Sequence, residues 1–331
     1  MKIIRFLLIK IALILSHSND AYYNDDDDLK SNTNWMSMLP DNLSILNISI
    51  PGTHNSASRT SGNYFVKCQS LTIEQQLNAG IRFLDLRLRH IENVFALHHD
   101  IIFLKLFFGD VLNLIENFLI KNPTETILIR AKEEYKPHKN NRSFNQTFES
   151  YFKRYQKVFW KGSTRNPTIG DLRGKILLIK NFASETLGLE YNQFEIQDDY
   201  YLNHNWKLYN KWLKVKAHLL IANSSYKSTH NGFINYLSGS GWSFPFFVAS
   251  GHVLPLTRSS RLATGLTIPG WRNIYPEFPR VNCFIGICTI AFEGTNLLAK
   301  NLVQNLSFVG IVVADFPGQG LIQSIIDRNF I

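Results

Sequence analysis

The chain has 331 residues, 45% of them hydrophobic, and a formal net charge of +9, so it is long enough to bury a large core as one α/β domain or two small ones. Residues 1–34 carry four basic and five acidic groups, which leaves 31 basic and 21 acidic in the remainder, a net of +10. A basic body suits an anionic partner, and without a Lys/Arg cluster resembling a nucleic-acid arm the expectation is an anionic membrane surface and no nucleic acid.

At the start, Lys2 and Arg5 precede an apolar stretch over residues 6–15 that is too short to span a bilayer, and Ser16-His17-Ser18 supplies a small-x-small cleavage pattern. Residues 1–18 are therefore predicted to be a secretory signal, with an uncleaved anchor as the alternative. Residues 19–34, with the run Asp25 to Asp28, are predicted to be an acidic, solvated leader, and residues 35–331 a single domain. Six N-glycosylation sequons, at Asn42, Asn47, Asn141, Asn145, Asn223 and Asn305, agree weakly with secretion.

The domain alternates strand-like and helix-like stretches. Strands are expected at residues 45–51, 81–88, 94–98, 125–131, 175–179, 195–201, 232–237 and 308–314. Helices are expected at 72–79, 104–121, 143–157, 206–222 and 296–305, the second stopped by Asn122-Pro123. About eight strands with intervening helices and no linker-like gap predict an α/β fold with a single closed barrel. A doubly wound sheet is the alternative, but no Gly-rich phosphate turn follows the first strand.

The chemistry sits at strand ends. His54 follows Ile48-Ser49-Ile50-Pro51-Gly52-Thr53, and His99 closes Val94-Phe95-Ala96-Leu97-His98. Asp85 and Arg87 lie in the run between them, Lys132 follows residues 125–131, and Asp315 follows Val309 to Ala314. In a parallel barrel these ends gather on one face, bringing His54, Arg87, His99, Lys132 and Asp315 together. Such a set supports phosphodiester cleavage: one imidazole takes a proton from an attacking hydroxyl, a guanidinium neutralises phosphoryl oxygens, and a second imidazole protonates the leaving alkoxide. A carboxylate beside the base fixes its tautomer, and Asp315 suits that place. His90, His98, His204 and His218 are expected to be structural.

Ser49 to His54, Gly80 to Arg87, Leu97-His98-His99, Asn122 to Thr126, Lys132 to Tyr135, Gly170 to Lys175, Gln197-Asp198 and Val309 to Asp315 occur in one order. Together they resemble the X domain of phosphatidylinositol-specific phospholipase C, in particular its small, metal-independent bacterial type, from about Trp35 to the C-terminus. The resemblance implies an irregular TIM-type (β/α)8 barrel. It also implies cleavage of phosphatidylinositol, or of glycosylphosphatidylinositol anchors, to diacylglycerol and inositol 1,2-cyclic phosphate. On it, His54 would be the general base oriented by Asp315, Arg87 the phosphate ligand and His99 the general acid. Lys132 and Asp198 would contact inositol, Tyr200 would stack on its ring, and Asp85 would support Arg87. The expected protein is secreted, peripheral to membranes, monomeric and free of a metal cofactor.

Two positions depart from the bacterial pattern. Asn55 stands where an aspartate would assist the acid histidine, and an amide does not share a proton as a carboxylate does. Asn55 is also similar to a metal ligand of calcium-dependent relatives, but Arg87 replaces their second acidic position and would repel a cation. Asn181 stands where an arginine would contact inositol. These departures keep a competing expectation, a catalytically impaired domain that only binds inositol lipids or anionic membranes.

The loop Gly239-Ser240-Gly241-Trp242-Ser243-Phe244-Pro245-Phe246-Phe247 offers membrane contacts at Trp242 and Phe244. Phe246 and Phe247 fit either the same rim or the start of a buried element. Cys68, Cys283 and Cys288 form no metal-type pattern. The last two fit either a disulfide or buried free thiols.

Overall fold

Short apolar strands, each closed off by a turn or a capped helix, build the molecule. The structure is a computed structural model that describes residues 20–23, 29–59, 64–184, 188–226, 228, 231–255, 259–268 and 273–331. The strands of the main sheet and its extension are β1 (Ile50–Thr53), β2 (Phe83–Ile91), β3 (Val94–His99), β4 (Ile102–Phe107), β5 (Thr126–Glu133), β6 (Lys175–Asn181), β7 (Leu189–Glu190) and β8 (Glu195–Gln197). The main sheet also takes β10 (Phe233–Tyr236) and β15 (Ile311–Ala314), while β9 (Tyr201–Leu202) pairs with β11 (Ser240–Gly241) and β12 (Ala263–Thr267), β13 (Arg280–Phe284) and β14 (Ile287–Ala291) form a third sheet. The helices are α1 (Ile73–Ala79), α2 (Phe108–Lys121), α3 (Phe144–Arg154), α4 (Ile169–Leu172), α5 (Leu208–Ser225), α6 (Pro245–Ser250), α7 (Thr295–Val303) and α8 (Gln319–Ile326). Thr72, Ser143 and Thr168 each open a helix with a reciprocal capping box, which fixes where α1, α3 and α4 begin.

The parallel strands run in the order β7-β6-β5-β2-β1-β15-β10-β8, the curled α/β sheet of a TIM-type barrel. Expected as closed, the ladder is instead open: among the described residues β7 pairs only with β6 and β8 only with β10. The two free edges are joined along the chain by the 3-10 turn Tyr191–Gln193. The physical reason is length, because strands of two and three residues have too few backbone groups to ladder across the gap.

Register decides which side chains enter the barrel. Gly52 lies level with Phe83 and Val313, and Tyr236 is level with Val313. Asp85 is level with Arg130, Arg87 with Lys132, and Lys132 with Asn181. Because strand side chains alternate, a floor containing Phe83, Tyr236 and Val313 lies beneath a polar layer at the C-terminal strand ends. Gly52 makes that floor fit, since a Cβ there would stand 2.8 Å from the Phe83 ring. At the opposite end Arg82 is fully buried and pairs with Glu125 at 2.8 Å. It also donates to the carbonyls of Leu77, Ile81, Asn32 and Thr33, closing the base of the barrel.

Several expectations change. Of the predicted helix over residues 104–121, the first turn is strand β4, paired antiparallel with β3; helix begins at Phe108. The last strand starts at Ile311, not residue 308, because Gly310 adopts φ +66° and Asn223 accepts from the amides of Ser307 and Phe308. The predicted signal and the Asp25 to Asp28 run lie outside the described residues. The described parts of the leader are solvated only in part: Lys30, Ser31 and Asn34 are exposed. Ala21 and Tyr22 are buried, Tyr22 bridges to Pro317, and the Tyr23 amide donates to the Phe316 carbonyl. A three-stranded antiparallel sheet, β12-β14-β13, was not foreseen. Cys283 and Cys288 form a disulfide within it, and Cys68 is free and buried.

Gly52→Ala is expected to destabilise the protein by about 1–3 kcal/mol, the usual range for overpacking. Phe83→Leu in the same chain should recover part of that loss. Urea denaturation of the two variants and the parent measures both effects, and a neutral Gly52→Ala would contradict the packing described.

Candidate active site

His54 follows β1, where its amide donates to the Ala314 carbonyl of β15 at 3.0 Å. Gln69 ties the same two strand ends, donating to the carbonyls of His54 (2.8 Å) and Ala314 (3.0 Å). This backbone clamp aims the imidazole. Its Nδ1 lies 2.8 Å from Asp315 Oδ1, and its Nε2 lies 2.7 Å from Arg87 Nη2. A guanidinium only donates, so Nε2 is the accepting nitrogen and Nδ1 carries the hydrogen toward Asp315. Asp315 is buried, and the Asn296 amide holds its backbone carbonyl at 2.8 Å.

Asp85 organises the cations. Its Oδ1 accepts from Arg130 Nη1 at 3.1 Å, and its Oδ2 from the Asn55 amide at 3.1 Å, with Arg87 Nε 3.5 Å away. Burial alone would raise the carboxyl, but the guanidiniums of Arg130 and then Arg87 hold it well below the usual carboxylate range. Arg130 donates as well to the Tyr236 hydroxyl at 3.0 Å and to Asn181 Oδ1 at 2.7 Å, and its guanidinium lies over the Tyr191 ring.

His99, at the end of β3, places Nδ1 3.0 Å from the Val66 carbonyl. Burial first, then Arg87 and His54, lowers its pKa below the ordinary value of 6.5. Asn55 is buried at φ +40°, and its Nδ2 has no hydrogen-bond partner among the described residues.

His54, Arg87, His99, Lys132, Asp198, Tyr200 and Asp315 all line one cavity of about 450 Å³, with Cys68, Arg130, Glu134 and Ser238. Asp85 lies below it. Lys132 is in an ion pair with Glu134 at 3.2 Å, while Asp198 and Tyr200, in the segment after β8, stand exposed. Trp242 is 76% exposed. Phe244 is 36% exposed and packs on the Phe65 ring at 4.3 Å, whereas Phe246 and Phe247 are buried in α6. His98 turns away from the cavity toward Phe103, and His90 bonds Thr147.

Arg130, Glu134 and Cys68 were missed in the sequence. Arg130 left a signal, since it stands two residues before Lys132 and so shares its strand face. Cys68 comes from the β1–α1 loop, and no periodicity points to it. Its thiol is pushed well up by burial and by the Asp315 carboxylate. His54, Cys68 and Asp315 form one trio of potential metal donors, with donor atoms within 4.8 Å of one another. Arg87 against His54 Nε2 adds a positive charge there, so the set fits an oriented base better than a cation cage.

Residues 48–182 match the family model described as phosphatidylinositol-specific phospholipase C, X domain. A 1-phosphatidylinositol phosphodiesterase of Listeria monocytogenes is 31% identical over 225 residues, covering 63% of this chain and 69% of the relative. One from Staphylococcus aureus is 27% identical over 307 residues, covering 82% of this chain and 92% of the relative. The solved structure of the phosphatidylinositol-specific phospholipase C from Listeria monocytogenes superposes with a TM-score of 0.64 at 25% identity, covering 91% of this chain and all of that one.

Asp85→Asn is expected to lower stability at neutral pH by about 3 kcal/mol, because it removes one partner of a buried ionic cluster. The sign of the pH dependence follows from the depressed carboxyl. Its contribution is full above the unfolded value near 3.9 and is lost as pH falls through the folded one. The gap between parent and variant should therefore narrow in acid, as read from urea midpoints across a pH series. A gap independent of pH would count against the assignment.

Proposed function

The chain belongs to the phosphatidylinositol-specific phospholipase C family defined by the X domain, and on that footing we propose that it cleaves the glycerol–phosphate ester of phosphatidylinositol. The products are diacylglycerol and inositol 1,2-cyclic phosphate. The observation that carries this reading is the line Asp315–His54–Arg87, with contacts of 2.8 and 2.7 Å and His99 in the same cavity.

His54 has the tautomer that a base requires. The inositol 2-hydroxyl displaces Arg87 Nη2 from His54 Nε2 and gives its proton to that nitrogen as its oxygen attacks phosphorus. Asp315 stabilises the imidazolium that forms. Arg87, still held by Asp85, turns its donors to the phosphoryl oxygens, where negative charge builds. The bond from phosphorus to the glycerol oxygen breaks, and that oxygen takes a proton from His99. Since His99 Nδ1 faces the Val66 carbonyl, Nε2 is the nitrogen that delivers it. Lys132, Asp198 and Tyr200 surround the space left for the inositol ring, and Arg130 at Asn181 supplies a cation on that wall. The substrate is the free lipid or the same headgroup in a glycosylphosphatidylinositol anchor.

The step needs no metal, because Arg87 already supplies the positive charge at phosphorus. Trp242 and Phe244 project from the rim beside the cavity and serve as membrane contacts. Among the described residues no helix is long and apolar enough to cross a membrane, and the protein acts as a monomer peripheral to the lipid surface. The Cys283–Cys288 disulfide supports secretion, since such bonds persist in oxidising compartments.

With phosphatidylinositol vesicles in chelator, phosphorus NMR should show a cyclic phosphate; no product, or product only on adding a divalent ion, would overturn the reading. His54→Ala and His99→Ala should each lose at least about 100-fold in kcat. Only His99→Ala should recover on a substrate with a nitrophenol leaving group, which needs no proton.

The pH profile is directional. His99 must be protonated, and without substrate its pKa lies below the ordinary 6.5, whereas a bound phosphodiester anion raises it. The alkaline limb of kcat should therefore lie at higher pH than that of kcat/KM. Coincident limbs would remove His99 from the acid role.

A further inference from the structure

The connection from β10 to α7 is the longest excursion of the fold, and it begins and ends at the catalytic rim. Ser238, Gly239 and Ser240 line the cavity at its start. At its end the Thr295 hydroxyl donates back to the Leu237 carbonyl at 3.0 Å. Between them stands the sheet β12-β14-β13, braced by Trp206, whose ring packs on Phe292 at 5.9 Å. The β13–β14 hairpin ends in Phe284-Ile285-Gly286-Ile287, and the Cys283–Cys288 disulfide joins the strands just behind this tip.

The tip is apolar and open to solvent: Phe284 is 74% exposed, Ile285 83% and Ile287 43%. Ile285 and Gly286 have φ of +45° and +76°, a two-residue turn that favours Asn-Gly. A β-branched residue is the strained choice there, and the fold gains no burial from it. Residues 280–291 include Arg280 and no acidic side chain, in a chain of net charge +9. That balance favours an anionic surface.

We propose that this hairpin is a disulfide-braced finger that inserts Phe284, Ile285 and Ile287 into the lipid bilayer, a membrane anchor separate from Trp242 and Phe244. The inference rests on the lipid-cleaving reading for the direction in which the membrane lies. A second copy of the chain is a poor occupant, since three side chains at the end of a narrow arm fall far short of the roughly 800 Å² per partner that a stable interface buries. A bilayer needs no such area, because each inserted apolar side chain contributes on its own.

The test is sedimentation with phosphatidylcholine–phosphatidylglycerol vesicles that contain no phosphatidylinositol, so that catalysis plays no part. Phe284→Ser combined with Ile285→Ser should weaken binding by about tenfold or more, as loss of two buried apolar side chains implies. Phe284→Trp should keep it. Hydrolysis of a water-soluble nitrophenyl inositol phosphate should be unchanged in both. Vesicle binding that is absent in the parent or equal in the double variant would overturn the finger, as would light scattering that shows a parent dimer turned monomeric by the substitutions. If vesicle binding falls as expected while the parent leaves the soluble ester intact, the finger stands and the lipid-cleaving reading fails.

Discussion

A carboxylate without solvent exposure holds this site together. Asp85 sits level with Arg130 in the ladder and within reach of Arg87 two residues further along β2. Two guanidiniums at the mouth of an apolar barrel repel each other and lose hydration, and each needs an acceptor in return. Asp85 supplies it from below, while toward the cavity Arg87 meets His54 Nε2 at 2.7 Å and lies 3.8 Å from Glu134. The Asn55 amide reaches the same carboxylate, so the turn that carries His54 is set by the group that sets Arg87. The proposed base and phosphate ligand are thereby referenced to one buried carboxylate, which is the kind of preorganisation that electrostatic catalysis requires.

The two ends of the barrel divide the labour. At the base, Arg82 and Glu125 form a fully buried pair that gathers carbonyls from α1 and from residues 32 and 33. At the top, the same kind of ionic chemistry is left incomplete on one side. Stability and function thus use similar residues at opposite strand ends, as the barrel geometry favours. The floor of Phe83 and Tyr236 between them keeps the layers apart.

Much of this was legible before any coordinates. Strand ends marked His54, Arg87, His99, Lys132 and Asp315, and the charges at mostly alternate positions after Gly80 included Asp85 and Arg87. Arg130 obeys the same parity and was overlooked only because an arginine inside an apolar run reads as an isolated charge. Other features left no local trace. The open edge depends on β7 and β8, which are too short for a periodic signal. The stretch 102–107 carries Ile, Leu and Phe in a spacing that suits a helix as well as a strand, and pairing with β3 decided it. The described parts of the leader pack through backbone bonds to Phe316 and Arg82, partners hundreds of residues or half a sheet away. The apolar tip at Phe284 and Ile285 drew no expectation from the sequence, because its exposure is set by the fold.

The asymmetry between the two histidines has a structural origin. His54 is tied on both nitrogens, by Asp315 and Arg87, and its turn is clamped by Gln69. Among the described residues His99 has one hydrogen-bond contact, to the Val66 carbonyl, and burial first, then Arg87 and His54, disfavours its charge. A carboxylate at position 55 would counter that field, but the amide of Asn55 brings no charge, and its Nδ2 is buried without a partner among the described residues. In the proposed mechanism the negative charge that would make His99 an acid comes from the substrate's own phosphate. Protonation of the proposed acid is thereby coupled to substrate binding, with His99 armed chiefly when a phosphodiester is in place.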